Sequence, residues 1–378
     1  MNKSSKHPIR SLLVNVLLVA LAFGLLGYTI SKNRDQIRAV LGHSLDPRSF
    51  ALGFALYLTS LLLTFVRWFW LVRAIEPAFP LRATFLLGFI GNVFNLVIPG
   101  AVGGDLIKAA YLVRMKINRT QAIASMVIDR ILGLLGLFLL AGIAGAVAWP
   151  MAEAEVRRLI VVAWSMLAVG SLGLAAIFGQ ALTRRFPGLL HGHGRRAVIL
   201  RELRAMSETY RRRLGVVFAG LALSVVGHVL NVLAFYTASR TLFPTGLPSL
   251  AQHFLMVPLI LFTMVVPLPG GALGLTEQVS QQLFRLVAHP GGALAMMGFR
   301  VLMYGVGIIS ACVYFARMGE VRSLTDVAEH LEEELENDEL DDPPPGSDLE
   351  DDPLPVHPAA DGPEHGQDGG RLVDRRTA

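Results

Sequence analysis

Two acids and two arginines repeat one arrangement in this chain. Asp105 precedes Arg130 by 25 residues, and Glu277 precedes Arg300 by 23. Each acid follows proline and glycines: Pro99-Gly100 and Gly103-Gly104 lead to Asp105, while Pro269-Gly270-Gly271 and Gly274 lead to Thr276-Glu277. Proline and glycine interrupt a helix, and an acid just beyond them suits the first turn of the next. A helix that begins at such a break directs free N–H groups and the positive end of its dipole into the gap. Gly103, Gly104, Gly274 and Thr276 are therefore candidate backbone anion sites of the kind that suits phosphate. Asn92 and Asn95 before the first break and Lys108 after it add side chains able to hold a headgroup, although asparagines in apolar helices also serve as helix–helix glue. Asp105 and Glu277 also have a purely local reading as favourable first-turn acids, with Thr276 as an N-cap.

These groups lie in an apolar chain. Of 378 residues, 53% are apolar and 17% charged, with a mean hydropathy of +0.52. The net charge of +5 conceals an uneven distribution: 19 acids and 4 bases lie from Glu320 onward, leaving 10 acids and 30 bases before it. A basic body with long uncharged runs reads as a polytopic membrane protein rather than a nucleic-acid binder, because its arginines cluster at the ends of hydrophobic spans. Cys312 is the single cysteine, so no intrachain disulfide forms. No serine–histidine–aspartate order, HExxH or cysteine pair appears, and GGALG lacks the strand and lysine of a nucleotide loop. The HGHG at 191–194 reads as loop without a third ligand. No enzyme chemistry and no cofactor are expected.

The elements that must position the charges follow from hydropathy. Uncharged or nearly uncharged runs at 11–30, 50–72, 121–148, 159–180, 214–239 and 293–316 are long enough to cross the hydrocarbon, for which about 20 residues are needed. The first is read as an uncleaved anchor. The broken stretches 83–113 and 250–289 each read as two short helices meeting at a glycine-rich break. The expected fold is all-α and polytopic, with about six full spans and two re-entrant hairpins in pseudo-symmetric halves. Residues 1–317 form the membrane domain; 318–378 form an acidic, proline-rich tail with too little apolar surface to fold. Nine arginines in 181–213 place that loop, the N-terminus and the tail on the cytoplasmic side. Ile199, Leu203, Met206 and Tyr210 recur there at helical spacing, either as a basic amphipathic helix on the headgroups or as a solvated connector.

Charge at membrane depth costs at least about 2.5–3.5 kcal/mol, so Arg67, Asp129, Arg130 and Arg300 should face partners or water. Ion pairs are expected among Asp105, Arg130, Glu277 and Arg300. The plainer reading of Asp129-Arg130 is snorkelling near an interface. His228 and Asn231, one turn apart, read as bonded core residues. Irregular chain is tolerated at depth only when buried in protein or lining a wet cavity, so the breaks should wall a polar chamber.

The pieces "NLVIPGAVGGDLIKAAYLV", "ASMVIDRILGLLGL" and "VPLPGGALGLTEQ" with Arg300 downstream resemble the membrane region of lysylphosphatidylglycerol synthases, across about residues 10–317. That region also recurs alone in flippase-like membrane proteins. The resemblance implies movement of a lipid between leaflets through a polar cavity with two re-entrant helices, and it makes Asp105, Asp129, Arg130, Glu277 and Arg300 the working residues. The synthases continue into a cytosolic transferase domain, whereas an acidic tail follows here, so synthesis of the lysyl-lipid is not expected. The expectation is a lipid translocator of the cell (inner or plasma) membrane, acting on an anionic phospholipid or lipid-linked headgroup and served by a separate lipid or glycan transferase. The alternatives are a membrane-embedded assembly partner and an enzyme of lipid or envelope-glycan synthesis.

Overall fold

The computed structural model describes residues 46–97, 103–179 and 207–319, apart from 244 and 267, together with scattered positions between 24 and 42 and Arg204. Most of the expected first span, HGHG, most of the arginine-rich loop and the tail from 320 lie outside these residues.

Nine helices carry the fold of the described residues: α1 (Pro47–Arg73), α2 (Leu81–Val97), α3 (Gly103–Arg114), α4 (Arg119–Ala148), α5 (Ala154–Gly179), α6 (Leu214–Leu242), α7 (Leu250–Phe262), α8 (Leu275–Arg285) and α9 (Gly292–Ala316). Polar caps set several starts. Asp46 accepts from the Arg48 and Ser49 N–H groups ahead of Pro47, Asn118 caps α4, and Ser249 with Gln252 closes a capping box on α7. Each cap satisfies donors that would otherwise lack partners. Five helices, α1, α4, α5, α6 and α9, are long and apolar enough to cross a membrane. Those five match the expected spans after the first. Val169 and Leu172 of α5, Phe218 of α6 and Ile308 of α9 stand exposed, as side chains facing lipid should.

The remaining four helices are too short to span. The 17 residues of α2 reach about 25 Å and the 12 of α3 about 18 Å, against a hydrocarbon core of about 30 Å. They fold back on each other. A Cβ on Gly104 would collide with the Gly91 carbonyl oxygen, Gly104 is bonded to Asn95, and Tyr111 meets Phe79 with ring centroids 6.5 Å apart. Contacts that pair early residues of one arm with late residues of the other define an antiparallel hairpin. The 13-residue α7 and the 11-residue α8 do the same: Met264 lies beside Gly271, and His253 beside Phe284.

The two halves share one plan, a long helix, a hairpin and a second long helix: α1, α2–α3, α4, then α6, α7–α8, α9. Inversion is set by the antiparallel packing of α1 on α6, the most extensive helix pair in the fold. Gly53 opposes Thr237, Ser60 Oγ donates to the Gly227 carbonyl at 2.9 Å, and Arg67 reaches Ser224. Each hairpin begins where its half's first helix ends, so the hairpins come in from opposite ends of the bundle, the arrangement typical of transporter repeats. Each is also gripped by the last helix of the other half, α2 by α9 (Phe94 on Tyr314) and α7 by α4 (Phe138 on Phe262). The tip of the second hairpin, Pro269–Ala272, packs on α2.

Tyr210, the last of the stripe beginning at Ile199, does not lie among headgroups. It is fully buried, packs with Leu71, Ala124 and Ile128, and donates to the Leu71 carbonyl. At this position the stripe anchors the loop to the bundle.

Candidate functional site

At the first break, α3 begins at Gly103 and Gly104, both buried. The Gly104 N–H donates to Asn95 Oδ1 at 3.0 Å, so one of the donors expected to face an anion is capped from within the hairpin. Asn92 Nδ2 donates to Ser310 Oγ at 3.0 Å and ties α2 to α9. Both asparagines therefore serve the packing. Asp105, in the first turn of α3, accepts from Arg130 Nε at 2.5 Å and lies 3.8 Å from Lys108 Nζ. Lys108 is buried and holds its ammonium 5.0 Å from the centroid of the Trp68 ring, a cation–π contact. One carboxylate thus sits between two cations. Arg130 is its outermost member, with a side chain 43% exposed.

Close approach at Gly104 is a requirement of the hairpin. A methyl group there would meet the Gly91 carbonyl and the Asn95 amide. Gly104→Ala is expected to cost about 1–3 kcal/mol through overpacking, read as a lower thermal midpoint of the purified protein.

The second break is built from left-handed backbone, with φ of +63° at Gly270 and +69° at Gly271. That turn aims both carbonyls at Arg300, which donates to Gly270 O, Gly271 O, Thr276 Oγ1 and the Glu277 carboxylate. Glu277 is fully buried and Arg300 is 3% exposed. Glu277 Oε2 also accepts the Gly274 N–H at 2.7 Å. Here the anion at the helix start is the protein's own. Gly274 and Thr276, the candidate phosphate contacts, are engaged within the protein: Glu277 accepts the Gly274 N–H and the Thr276 hydroxyl oxygen accepts from Arg300, which satisfies a buried helix start.

Asp129 and Arg130, adjacent on α4, diverge. Arg130 reaches the first break, whereas buried Asp129 receives a fork from Arg67 of α1, at 2.7 Å from Nε and 2.9 Å from Nη2. Arg67 Nη1 also donates to Ser224 Oγ at 2.7 Å. A planar guanidinium suits this bidentate contact in a way that an ammonium does not. Asp129 is thus held deep in the bundle and does not snorkel.

A polar cavity of about 200 Å³ adjoins this pair, lined by Arg67, Ser60 and Thr64 of α1, Gly133 of α4, and His228 and Asn231 of α6, among others. It sits near the midpoint of all three spanning helices. Among the described residues a polar chamber is seen at this three-helix junction, while Arg300 and Glu277 occupy the space behind the second tip.

The structure therefore brings Asp105, Lys108 and Arg130 together, sets Glu277 with Thr276 and Arg300, and leaves Asp129 in a third group. Sequence reasoning expected two of these pairings and missed Arg67 as the partner of Asp129. The available signal was a lone arginine deep in an apolar span. It also passed over His228 and Asn231 as lining residues. Among the described residues no group of three histidine, cysteine, aspartate or glutamate side chains is placed to hold a metal ion.

Comparison with curated proteins finds no match. Residues 11–311 match the family model described as the lysylphosphatidylglycerol synthase TM region, and with inverted halves, broken hairpins and buried ion pairs in place, this multi-pass membrane protein belongs to that family.

Proposed function

We propose that the protein moves the polar headgroup of an anionic phospholipid or lipid-linked intermediate across the bilayer, without making or breaking covalent bonds. The observation that carries this reading is the Asp105–Lys108–Arg130 cluster at the first break. It gathers two cations on one carboxylate and turns the part-exposed Arg130 outward beside an otherwise buried pair. A part-exposed guanidinium beside a hairpin break suits a phosphate, and charges at membrane depth mark substrate paths by default. The inverted halves supply the usual framework for alternating access. The basic ends of the helices, with Arg73, Arg114, Lys116, Arg119 and Arg211 through Arg213 gathered on one side, support a cytoplasmic orientation for that end in the cell membrane.

Headgroup-labelled phosphatidylglycerol in proteoliposomes tests the reading. Wild type is expected to transfer label between leaflets, and Arg130→Ala to slow transfer at least tenfold while changing stability by only about 0–1 kcal/mol, as for an exposed ion pair. Equal transfer by wild type and variant would remove the cluster from any role in transport. The sealed second break favours a second reading, a static partner for a membrane-bound lipid or glycan transferase. That reading predicts no transfer by wild type and co-purification of the transferase with both forms.

A further inference from the structure

We propose that the cavity between α1, α4 and α6 binds the hydroxyl-bearing part of a lipid headgroup, with His228 and Asn231 as its hydrogen-bond acceptors. The proposal deepens the lipid-handling reading and rests on it for the class of guest.

The cavity's unmet demand is specific. His228 Nε2 is engaged by the Gly133 carbonyl at 2.9 Å, while His228 Nδ1 and Asn231 Oδ1 are buried with no protein partner. The nearby hydroxyls offer them no help. Ser60 donates to Gly227 O, Thr64 to Ser60 O and Ser224 to Gly220 O, so each has spent its one proton on backbone. With Nε2–H on Gly133, Nδ1 is a bare acceptor, and Asn231 Oδ1 is another. Both are acceptors that no protein donor reaches. A buried polar atom without a partner is destabilising, and an empty cavity would be expected to be apolar, so this one is built for a polar occupant.

The same lining also holds spare donors. Arg67 uses three of its N–H groups on Asp129 and Ser224, which leaves two of five. Gly133 keeps that edge open: a Cβ there would sit 3.4 Å from both Nη atoms. Unmet acceptors and spare donors in one lining fit a group that both gives and takes hydrogen bonds, as a hydroxyl does. The charged groups facing the site are Arg67 from α1 and, through it, Asp129 from α4, and the pair is neutral as a whole. A cationic guest would meet Arg67 first, with Asp129 already engaged. Arg130, the candidate phosphate contact of the proposed function, and the cavity's Gly133 are neighbours on α4, three residues apart. At about 200 Å³ the cavity holds roughly six or seven waters, or a polyol displacing them.

The test uses the full-length protein in detergent and three lipid probes. Phosphatidylglycerol and phosphatidylpropanol share charge and length and differ by two hydroxyls, while phosphatidylethanolamine brings an ammonium. Wild type is expected to bind phosphatidylglycerol roughly tenfold more tightly than phosphatidylpropanol. Asn231→Leu should erase that preference, keep phosphatidylpropanol binding as proof of folding, and raise the thermal midpoint by removing an unpartnered polar atom. Gly133→Ala, which covers the guanidinium edge, should weaken the preference independently. Equal binding of the first two lipids by wild type, an intact preference in Asn231→Leu, or tightest binding of phosphatidylethanolamine would each overturn the proposal. Because the readout is binding, failure of leaflet transfer would sink the proposed function without touching this result.

Discussion

Arg300→Ala is expected to destabilise the protein by about 3–5 kcal/mol, because it strands a fully buried carboxylate. More than charge is lost. Arg300 also closes the carbonyls of Gly270 and Gly271 and the oxygen of Thr276, so the substitution opens the hairpin tip as well as the ion pair. Arg300→Lys separates these contributions. An ammonium restores charge to Glu277 but, as a point donor, cannot span two carbonyls and a carboxylate in one plane. It should recover only part of the loss. Glu277→Gln should be milder than Arg300→Ala, since the amide oxygen still caps Gly274 and Arg300 keeps the tip carbonyls. Thermal unfolding of the three purified variants gives the order. If Arg300→Ala unfolds with wild type, the tip is not held by this residue and the packing described for the second break is wrong.

The breaks and the two long-range pairings were legible in the chain because proline, glycine and charge in an apolar background are local signals. Pro269 through Glu277 shows where a helix must stop and restart, and the matching interval from acid to arginine shows which charges travel together. What a break does with its donors was not legible. Asn95 reaching back to Gly104 and Glu277 reaching back to Gly274 are choices of side-chain direction, made because buried N–H groups must be satisfied by whatever lies nearest. The Arg67–Asp129 fork joins residues 62 positions apart through the packing of α1 on α4, and no local periodicity encodes it. The cavity at His228 needs three helices to exist at all. Similarly, the antiparallel register of α1 on α6 depends on small residues that let backbones approach, with Gly53 against Thr237 and Gly227 against Ser60. Glycines on those faces read equally well as a kink or a close contact.

The three ion pairs are graded by exposure, and the grading separates their roles. Arg300–Glu277 is sealed and closes a tip. Arg130–Asp105 opens outward and has Lys108 beside it. Arg67–Asp129 lies between these extremes, buried yet facing a cavity. An ion pair in low dielectric adds little stability over apolar residues of the same volume, but removing one partner is severe. Retention of such a pair beside a polar cavity therefore points to the cavity rather than to stability.

That contrast makes the last prediction. Asp129→Leu leaves the Arg67 guanidinium buried with only Ser224 as partner and is expected to cost about 3–5 kcal/mol. Arg67→Met should cost a similar amount by stranding the Asp129 carboxylate. The double variant Arg67→Met/Asp129→Leu replaces the whole pair by apolar bulk and is expected to unfold near wild type or above it, since such replacements are often neutral or stabilising by about 1–4 kcal/mol. The coupling between the two sites is then read from a double-mutant cycle of thermal midpoints, in which the single losses do not add. Stability restored in the double variant with leaflet transfer still lost assigns the pair to the transport path. Stability and transfer both restored would reduce Arg67 and Asp129 to packing, since a cavity wall of methionine and leucine offers no donor to a headgroup.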